Sequence, residues 1–487
     1  MRIGELLVAA GLVSAADVSA AIGRQRREGG RLGQNLVAMG AVDADALAAF
    51  IDAVPPEPLS ARETGIDEKS LVDLILKTMT TRPVETLAEL SAALRLPPKV
   101  VSDLVDFAVR GQLLGLAGSS GGAMAMRYEM TDAGKRRAQE ALGRSQYVGP
   151  APVPLDVYAH WLQRQKITNE AVNVEVMQQA FEGLEVPRSF IDQIGPAVCS
   201  GRALLMYGPP GNGKTSVAQR LERVFRQIIY IPHAVAVEGQ IMQVFDPDVH
   251  QPVLGEAPSL LDGGLHRDEA DARFVACRRP FIVTGGELTL EMLDLKHEPL
   301  ANFYVAPLHI KASGGCLLID DFGRQLVSPT VLLNRWIVPL ENRVDYLKLH
   351  TGKSFQLPFE AVVILSTNLA PSDLMDPAFL RRIPYKLEVG APAPETWRRI
   401  FAGVARAHGL GERLTDPVVS GIIKTLTEAH GLELAAFQPR FIIEQIVAGC
   451  RFRGVPLDFL PELVDYAIGN LVVSAADERA PTLAKVA

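Results

Sequence analysis

One short run of residues constrains the fold of this chain more than any other feature. Residues 208–215, with glycines at 208, 211 and 213 followed by Lys214 and Thr215, fit the pattern GxxxxGK[ST]. Apolar residues over 203–207 predict a strand before the run, and a helix is predicted after it over 216–225. Glycines allow backbone N–H groups to turn inward around a phosphate, and helix-terminal N–H groups add positive potential. The run therefore predicts a nucleotide-binding loop in an α/β sheet.

The residues of this loop have separate expected roles. Lys214 is expected to reach the β- and γ-phosphates of ATP, and Thr215 to hold Mg²⁺ through its hydroxyl. ATP and Mg²⁺ are therefore the expected cofactors. The full set expected to contact the nucleotide is Gly208, Pro209, Pro210, Gly211, Asn212, Gly213, Lys214, Thr215 and Ser216.

Two further apolar runs are predicted to be strands that end in polar side chains. Residues 315–319 are followed by Asp320 and Asp321, and residues 361–365 precede Asn368. Ligands of open α/β sheets bind at the carboxyl ends of the strands. Asp320 is therefore expected to act on Mg²⁺, and Asp321 to orient or deprotonate the attacking water. An amide at the position of Asn368 can contact both the γ-phosphate and that water.

In this order, the loop and the two strands resemble the AAA+ ATPases. The resemblance implies that Asn368 is sensor 1 and that Arg440 is sensor 2 in a C-terminal helical lid. It also implies an arginine finger that completes the site of a neighbouring subunit. Arg343, Arg381 and Arg382 compete for that role, and Arg382 is favoured because it lies nearest the next predicted strand. A homo-oligomeric ring, expected to be a hexamer, follows from such shared sites.

Finer matches resemble the enhancer-binding activators, MoxR-type chaperones and magnesium chelatases. They lie just before the aspartate pair, at 312–315, and after it, over 332–343. In those proteins an inserted loop contacts the remodelled partner, and residues 283–290 are expected to be its counterpart. The family usually has Asp-Glu where this chain has Asp320-Asp321. The shorter carboxylate leaves two alternatives open, a motor that hydrolyses ATP and a nucleotide-gated scaffold with little turnover.

The N-terminus contains an internal repeat. Its first copy is echoed at an offset of 29 residues, from Arg2 to Arg31. The repeat resembles the N-terminal domain of type II secretion and type IV pilus ATPases, some of which bind cyclic di-GMP through paired motifs. The resemblance implies a regulatory cyclic di-GMP site, although Val54 stands where the second motif has glutamine. The alternative is a structural repeat used for docking. The candidate ligand-binding residues are Arg2, Gly4, Leu7, Gly11, Gln25, Arg31, Gly33, Leu36 and Gly40.

The next region resembles a winged helix-turn-helix domain. Three helices are predicted, at 71–79, from a capping box at Thr86 and Glu89 onward, and at 99–110, followed by a strand pair joined by the glycine-rich residues 118–122. The third helix carries two bases and two acids, so it has no net attraction for phosphate, which dominates DNA affinity. Protein docking is therefore favoured, and a DNA-binding regulator remains the alternative.

Proline-rich segments at 54–58 and 149–154 predict linkers between domains. The predicted α/β architecture has four parts. These are a helical repeat domain at 1–54, a winged helix at 60–145, a nucleotide-binding core with a parallel sheet at 155–392 and a helical lid at 393–475.

Composition indicates the expected cellular compartment and the classes of partner that are not favoured. The net charge of −7 does not favour nucleic acid or an anionic membrane as a partner, and no apolar run is long enough to predict membrane insertion. Four widely spaced cysteines argue against a disulfide framework or a zinc site. We therefore expect a cytoplasmic, bacterial-type ATPase that remodels or switches an unidentified protein partner.

Overall fold

The computed structural model describes residues 3–119, 126–254, 270–374 and 376–479. Arg2 and part of the glycine-rich segment 118–122 lie outside these residues. The chain forms two compact units. The first comprises Met1–Ala171, Phe225–Leu317 and Val331–Val363, and the second comprises Val172–Val224, Leu318–Thr330 and Ile364–Ala487.

The N-terminal repeat in the first unit consists of four helices, two for each copy. Each copy turns at a glycine with positive φ, 70° at Gly11 and 69° at Gly40. The turns are closed by equivalent bonds, from Leu12 N–H to the Leu7 carbonyl and from Ala41 N–H to the Leu36 carbonyl. The helices are α1 (Ile3–Ala9), α2 (Ala15–Glu28), α3 (Leu32–Ala38) and α4 (Ala44–Asp52).

The second region of the first unit has three helices, an antiparallel strand pair and a fourth helix. Thr86 opens its second helix with the predicted capping box, which is confirmed: Thr86 Oγ1 accepts from Glu89 N–H at 3.3 Å, and Glu89 Oε2 accepts from Thr86 N–H at 2.9 Å. The elements are α5 (Glu68–Thr81), α6 (Leu87–Leu94), α7 (Pro98–Arg110), β1 (Leu114–Ser119), β2 (Met126–Met130) and α8 (Asp132–Arg144).

The proline-rich segments on either side of this region are anchored to the α/β part of the first unit. Asp271 and Arg273 form a buried ion pair with an N···O distance of 2.8 Å. The Asp271 N–H bonds to the Pro55 carbonyl at 2.8 Å, and the Arg273 guanidinium donates to the Pro152 carbonyl at 3.3 Å. Val153–Pro154 is a short strand parallel to Ala234–Val237. Buried polar groups and a sheet edge therefore bind the backbone of both predicted linkers.

The remainder of the first unit is built from short strands. Five of them form one sheet in the order Lys296–Glu298, Phe303–Val305, Gln240–Gln243, Ala234–Val237 and Val153–Pro154. Two antiparallel pairs are Ile228–Pro232 with Phe274–Arg278 and Val344–Lys348 with Ser354–Pro358. Residues 283–290 begin in strand Phe281–Thr284 and continue as turns. The helices are Leu155–Arg164, Leu308–Lys311 and most of Pro329–Asn342.

The second unit contains a parallel sheet and a helical bundle. Strand Leu204–Tyr207 is paired in parallel with Val362–Thr367 on one side and Tyr385–Glu388 on the other, and Cys316–Ile319 follows Val362–Thr367 in the strand order. Its helices outside the bundle are Val174–Ala180, Arg188–Ser200, Lys214–Arg220, Pro371–Leu374 and Pro377–Leu380. The bundle helices are Pro394–Ala407, Asp416–Lys424, Gln438–Arg453 and Pro461–Arg479.

Apolar side chains explain why these elements form. All six residues of Val362–Thr367 are buried, as expected for a central parallel strand. The bundle buries Trp397 and Phe401 together with Ile442, Ile443 and other apolar residues of its helices. Among the described residues, no helix is long and apolar enough to cross a membrane.

Candidate nucleotide-binding site

The glycines of the 208–215 loop are required by its backbone. Strand Leu204–Tyr207 leads directly into Gly208, and Gly208, Gly211 and Gly213 have φ values of 140°, 77° and 87°. A Cβ at Gly208 would lie 2.4 Å from the carbonyl oxygen of Val389. Any side chain at this position would therefore collide with backbone, so the tight path of the loop depends on glycine.

Lys214 is the first residue of helix Lys214–Arg220 and is only 7% exposed. Its Nζ donates to the carbonyls of Gly208 and Pro209, both at 2.9 Å, so the side chain crosses the loop. Burial lowers the pKa of Lys214, and the charges of Asp320 and Asp321 partly oppose that shift. The loop thus holds a desolvated cation beside its own backbone.

Asp320 follows strand Cys316–Ile319 and is hydrogen-bonded to the first turn of helix Lys214–Arg220. The Thr215 hydroxyl donates to Asp320 Oδ2 at 2.6 Å, and the other carboxylate oxygen accepts from the Asp321 N–H at 3.1 Å. A hydroxyl and a carboxylate side by side are the oxygen donors that Mg²⁺ prefers. The two predicted magnesium ligands are therefore adjacent in the structure.

Asp321 is exposed and has a φ of 47°, a left-handed conformation that is uncommon for residues other than glycine. Its Oδ1 accepts a hydrogen bond from Asn368 Nδ2 at 3.2 Å. The structure thus brings together the two residues predicted to handle the attacking water. Strained backbone of this kind clusters at functional sites, where the surrounding structure maintains it.

The turn that carries Asp320 and Asp321 is held by Gln325, which sequence reasoning missed. Gln325 Nε2 donates to the carbonyl of Asp320 at 3.0 Å and to that of Asp321 at 3.2 Å. Its Oε1 accepts from the Gly323 N–H at 2.8 Å. A glutamine shortly after an aspartate pair forms no recognised pattern, so only the folded turn identifies this positioning role.

The helical bundle contacts the loop through its own backbone. The Phe437 N–H donates to the Gly211 carbonyl at 2.9 Å, and the Ala436 N–H donates to Asn212 Oδ1 at 3.2 Å. Gln438 is 3% exposed, and its Oε1 accepts from Trp397 Nε1 at 3.2 Å. The segment before helix Gln438–Arg453 is thereby fixed against the 208–215 loop.

The predicted arginines lie in different environments. Arg440 is in the first turn of helix Gln438–Arg453, and its Nε donates to Glu444 Oε1 at 2.7 Å on the same helix. Arg381 and Arg382 follow helix Pro377–Leu380, with Arg381 exposed and Arg382 partly buried.

Arg343 lies in the first unit and makes contacts typical of a structural residue. Its guanidinium donates to Glu360 Oε2 and to the Ala361 carbonyl, both at 3.3 Å, and its Cζ lies 5.7 Å from the centroid of the Phe359 ring. These contacts occupy the guanidinium within its own unit, whereas Arg381 and Arg382 lie in the second unit.

The N-terminal repeat uses most of the candidate cyclic di-GMP residues for packing. Leu7 and Leu36 are fully buried, and Gly11 and Gly40 form the two turns described above. Gly4 and Gly33 lie against side chains of other helices. Gln25 Nε2 donates to the Gly30 carbonyl at 2.9 Å, Arg31 is the N-cap residue of α3, and Arg2 lies outside the described residues. Packing or turn formation therefore explains six of the nine candidate residues.

Comparisons with known proteins identify similarity in parts of the chain. Residues 393–470 match the family described as "Domain of unknown function (DUF8689)". These residues contain Phe437 and the helical bundle as far as residue 470. No curated protein matches the sequence.

Two solved structures of NtrX from Brucella abortus are similar to the chain. The first is 12% identical with a TM-score of 0.35, and the match covers 69% of this chain and 60% of NtrX. The second, NtrX in complex with ADP, is 10% identical with a TM-score of 0.32, covering 72% and 69%.

Proposed function

We propose that the second unit is an ATP-binding and ATP-hydrolysing module of the AAA+ type. The observation that carries this proposal is the Thr215–Asp320 hydrogen bond of 2.6 Å beside the Asn368–Asp321 bond of 3.2 Å. The residues fit ATP and Mg²⁺ on two counts. Gly208 leaves a loop path that a Cβ would block, and Thr215 and Asp320 supply oxygen donors for a hard cation.

Each residue has a role in the proposed reaction. The loop N–H groups and the Lys214 ammonium would hold the phosphates, and Thr215 with Asp320 would hold Mg²⁺. Bound ATP supplies the phosphoryl group that is transferred to water. Asp321 accepts the proton of that water, and Asn368 orients the Asp321 carboxylate through the hydrogen bond at Oδ1. Arg440 and the arginine finger, Arg382, would add positive charge, with the finger contributed by a neighbouring subunit.

The bundle is the element through which nucleotide state would be transmitted. Phe437 and Ala436 bond to Gly211 and Asn212, so movement of the loop backbone on nucleotide binding acts directly on the bundle. In the proposed function this movement remodels or switches a protein partner within a homo-hexameric ring. Cyclic di-GMP adjusts the activity through Arg31 and Gln25 at the N-terminal repeat.

The region 60–145 is proposed to act as a winged-helix adaptor for protein. The exposed charged residues of α7 are Lys99, Asp103, Asp106 and Arg110, so its exposed face carries no net charge. Among nearby cations, Arg127 is paired with Glu85 at 3.4 Å and Arg137 with Asp73 at 2.6 Å. These pairings weaken the attraction for DNA phosphates. A salt-dependent shift of duplex DNA at physiological ionic strength would support the DNA-binding alternative instead.

Steady-state ATP hydrolysis by the full chain, with and without cyclic di-GMP, tests the proposal. The Lys214→Ala variant is the blank. We expect turnover that disappears in the blank and changes with cyclic di-GMP. Turnover indifferent to the dinucleotide would reject the regulatory site and keep the ATPase. Absence of turnover above the blank would reject hydrolysis.

A nucleotide-gated scaffold is the second candidate function, and the short Asp321 side chain favours it. An aspartate reaches one methylene less far than the glutamate usual in AAA+ proteins. Under the scaffold function, Asp321→Glu would raise turnover strongly while leaving ADP affinity unchanged. An unchanged turnover would count against it.

A further inference from the structure

The two copies of the N-terminal repeat differ in what covers them. In the first copy, a Cβ at Gly4 would lie 3.0 Å from Val18 Cγ1 and 3.1 Å from Leu32 Cδ2. Leu32 belongs to α3, so the second copy covers the groove between α1 and α2 at Gly4, whereas Ile22 at the edge of that groove is exposed. In the second copy, a Cβ at the equivalent Gly33 would lie 2.9 Å from Leu47 Cδ2, and the three nearest atoms all belong to Leu47.

The position that Leu32 fills in the first copy is an open groove in the second. This groove has a volume of about 440 Å³ and lies between α3 and α4. Ile51 at its edge is 48% exposed, a large fraction for an isoleucine. Stacked repeats bury their apolar faces against the next repeat, so an uncovered final copy presents a surface that fits another helix. The groove is lined by Gly33, Gln34, Val37, Ala38, Ala44, Leu47, Ala48 and Ile51.

We propose that this groove binds helix α2 of a second copy of this chain. On α2, Ile22 is 38% exposed, and the neighbouring Ser19 and Gly23 are small enough for another helix to approach closely. Arg26 lies one turn further along the same face and is exposed. In contrast, Ile3 of α1, the residue equivalent to Leu32, packs against the core of its own unit. Helix α2 therefore presents an exposed isoleucine beside small residues on one face.

Charge distinguishes this arrangement from a symmetric one. Asp45 is exposed in the first turn of α4, beside the groove. A contact between two identical grooves would bring the acidic edges of both copies together, whereas α2 brings Arg26 towards Asp45. The groove and α2 lie on different surfaces of the same domain, so each copy in an assembly uses both surfaces. Such head-to-tail contacts generate a closed ring or an open chain, according to the rotation between copies.

Sedimentation velocity of the full chain in the Lys214→Ala background tests this proposal. This background removes assembly driven by nucleotide, so the result is independent of the proposed ATPase. We expect self-association over about 1–100 µM, and an increase of about tenfold or more in Kd with Ile51→Asp or Ile22→Asp. The matched control is Met39→Asp, because Met39 is 38% exposed on the same domain and does not line the groove.

Charge reversal gives a second readout that does not depend on the apolar substitutions. Arg26→Glu and Asp45→Lys are each expected to raise the Kd about fivefold, and the double variant to restore it to within about twofold. Thermal unfolding close to that of the parent establishes that each variant is folded. A chain that remains monomeric would overturn the proposal and assign the groove to a helix of another protein or to no occupant. Equal effects of Ile51→Asp and Met39→Asp, or failure of the double variant to recover, would also overturn it.

Discussion

Asp321 combines a strained backbone with a proposed role in accepting a proton from water. Its φ of 47° carries a backbone cost, of order 1–3 kcal/mol for a non-glycine residue in this region. Gln325 holds the Asp320 and Asp321 carbonyls, and Asn368 holds the Asp321 carboxylate. The surrounding polar groups therefore fix the direction of one carboxylate at the end of the strand. A fixed, exposed carboxylate is suited to accept a proton from water.

Replacing Asp321 with asparagine separates binding from hydrolysis. Asparagine preserves the shape of the side chain and tolerates the left-handed backbone, but it cannot act as a base. We expect kcat for ATP to fall by about 100-fold or more, with ADP affinity changed by less than about threefold. Coupled-enzyme assays and ADP titration measure the two quantities.

Asp465→Asn is the control for this substitution, since Asp465 is an exposed aspartate of the bundle. It removes the same charge without touching the site. A fall in kcat of similar size in both variants would reject the catalytic role of Asp321. A loss of ADP affinity in Asp321→Asn would assign the residue to nucleotide binding instead.

His233 gives the first unit an acid-sensitive residue. Burial lowers the pKa of His233 to about 4, and the positive charge of Arg95 adds to the shift. The unfolded chain binds a proton near the ordinary histidine pKa of about 6.5, whereas the folded chain does not until about pH 4. The stability associated with neutral His233 is therefore complete above pH 6.5 and is lost as the pH falls towards 4.

We expect His233 to reduce the free energy of unfolding by at most about 3 kcal/mol between pH 6.5 and pH 4. Urea unfolding of the full chain at several pH values measures this loss. The His233→Gln variant should show a shallower dependence over the same interval. Parallel curves for the two proteins would show that other groups account for the acid sensitivity.

At the scale of elements, the buried Asp271–Arg273 pair connects segments that are far apart in sequence. Arg273 donates to the carbonyls of Thr64 and Pro152, and the Asp271 N–H donates to that of Pro55. Both side chains are 4% exposed. One ion pair thus fixes the chain on both sides of α5–α8.

The two side chains of this pair should not contribute independently to the free energy of unfolding. Arg273→Met leaves a buried carboxylate without its cation, so we expect a loss of about 3–5 kcal/mol in the free energy of unfolding. The double variant Asp271→Ala, Arg273→Met should lose less than the sum of the two single changes. Chemical denaturation measures the energies. Strict additivity would contradict the assigned coupling.

Local patterns predicted the strand–loop–helix order around residues 208–215 and the Thr86 capping box because both depend on residues close together in sequence. The strand ends at Asp320 and Asn368 could also be predicted, since apolar runs followed by polar residues are visible without structure. The contacts of Phe437 with Gly211 join residues remote in the chain, and no local signal marks them. The buried contacts of the proline-rich segments could not be predicted for the same reason. Composition alone predicts a linker, whether or not a buried ion pair binds the carbonyls of the segment.

At the scale of the whole molecule, the proposed ring requires a site shared between neighbouring copies. Arg343 is bound to Glu360 and lies beside Phe359, whereas Arg381 and Arg382 follow a short helix in the unit that holds the phosphate-binding loop. We therefore expect Arg382→Ala to bind ATP and lose turnover. Arg381→Ala is the matched control, since it removes the adjacent guanidinium.

Mixing two inactive variants tests whether Arg382 acts on a neighbouring copy. Lys214→Ala lacks the phosphate-binding cation, and Arg382→Ala lacks the finger, so each alone should be inactive. In an equal random mixture, roughly a quarter of the sites combine an intact Lys214 with an intact Arg382 from the adjacent subunit. We expect turnover per chain to approach roughly a quarter of the wild-type value as exchange proceeds. A mixture that stays inactive while its subunits demonstrably exchange would place the action of Arg382 within its own chain, and the shared site would then have to use another residue.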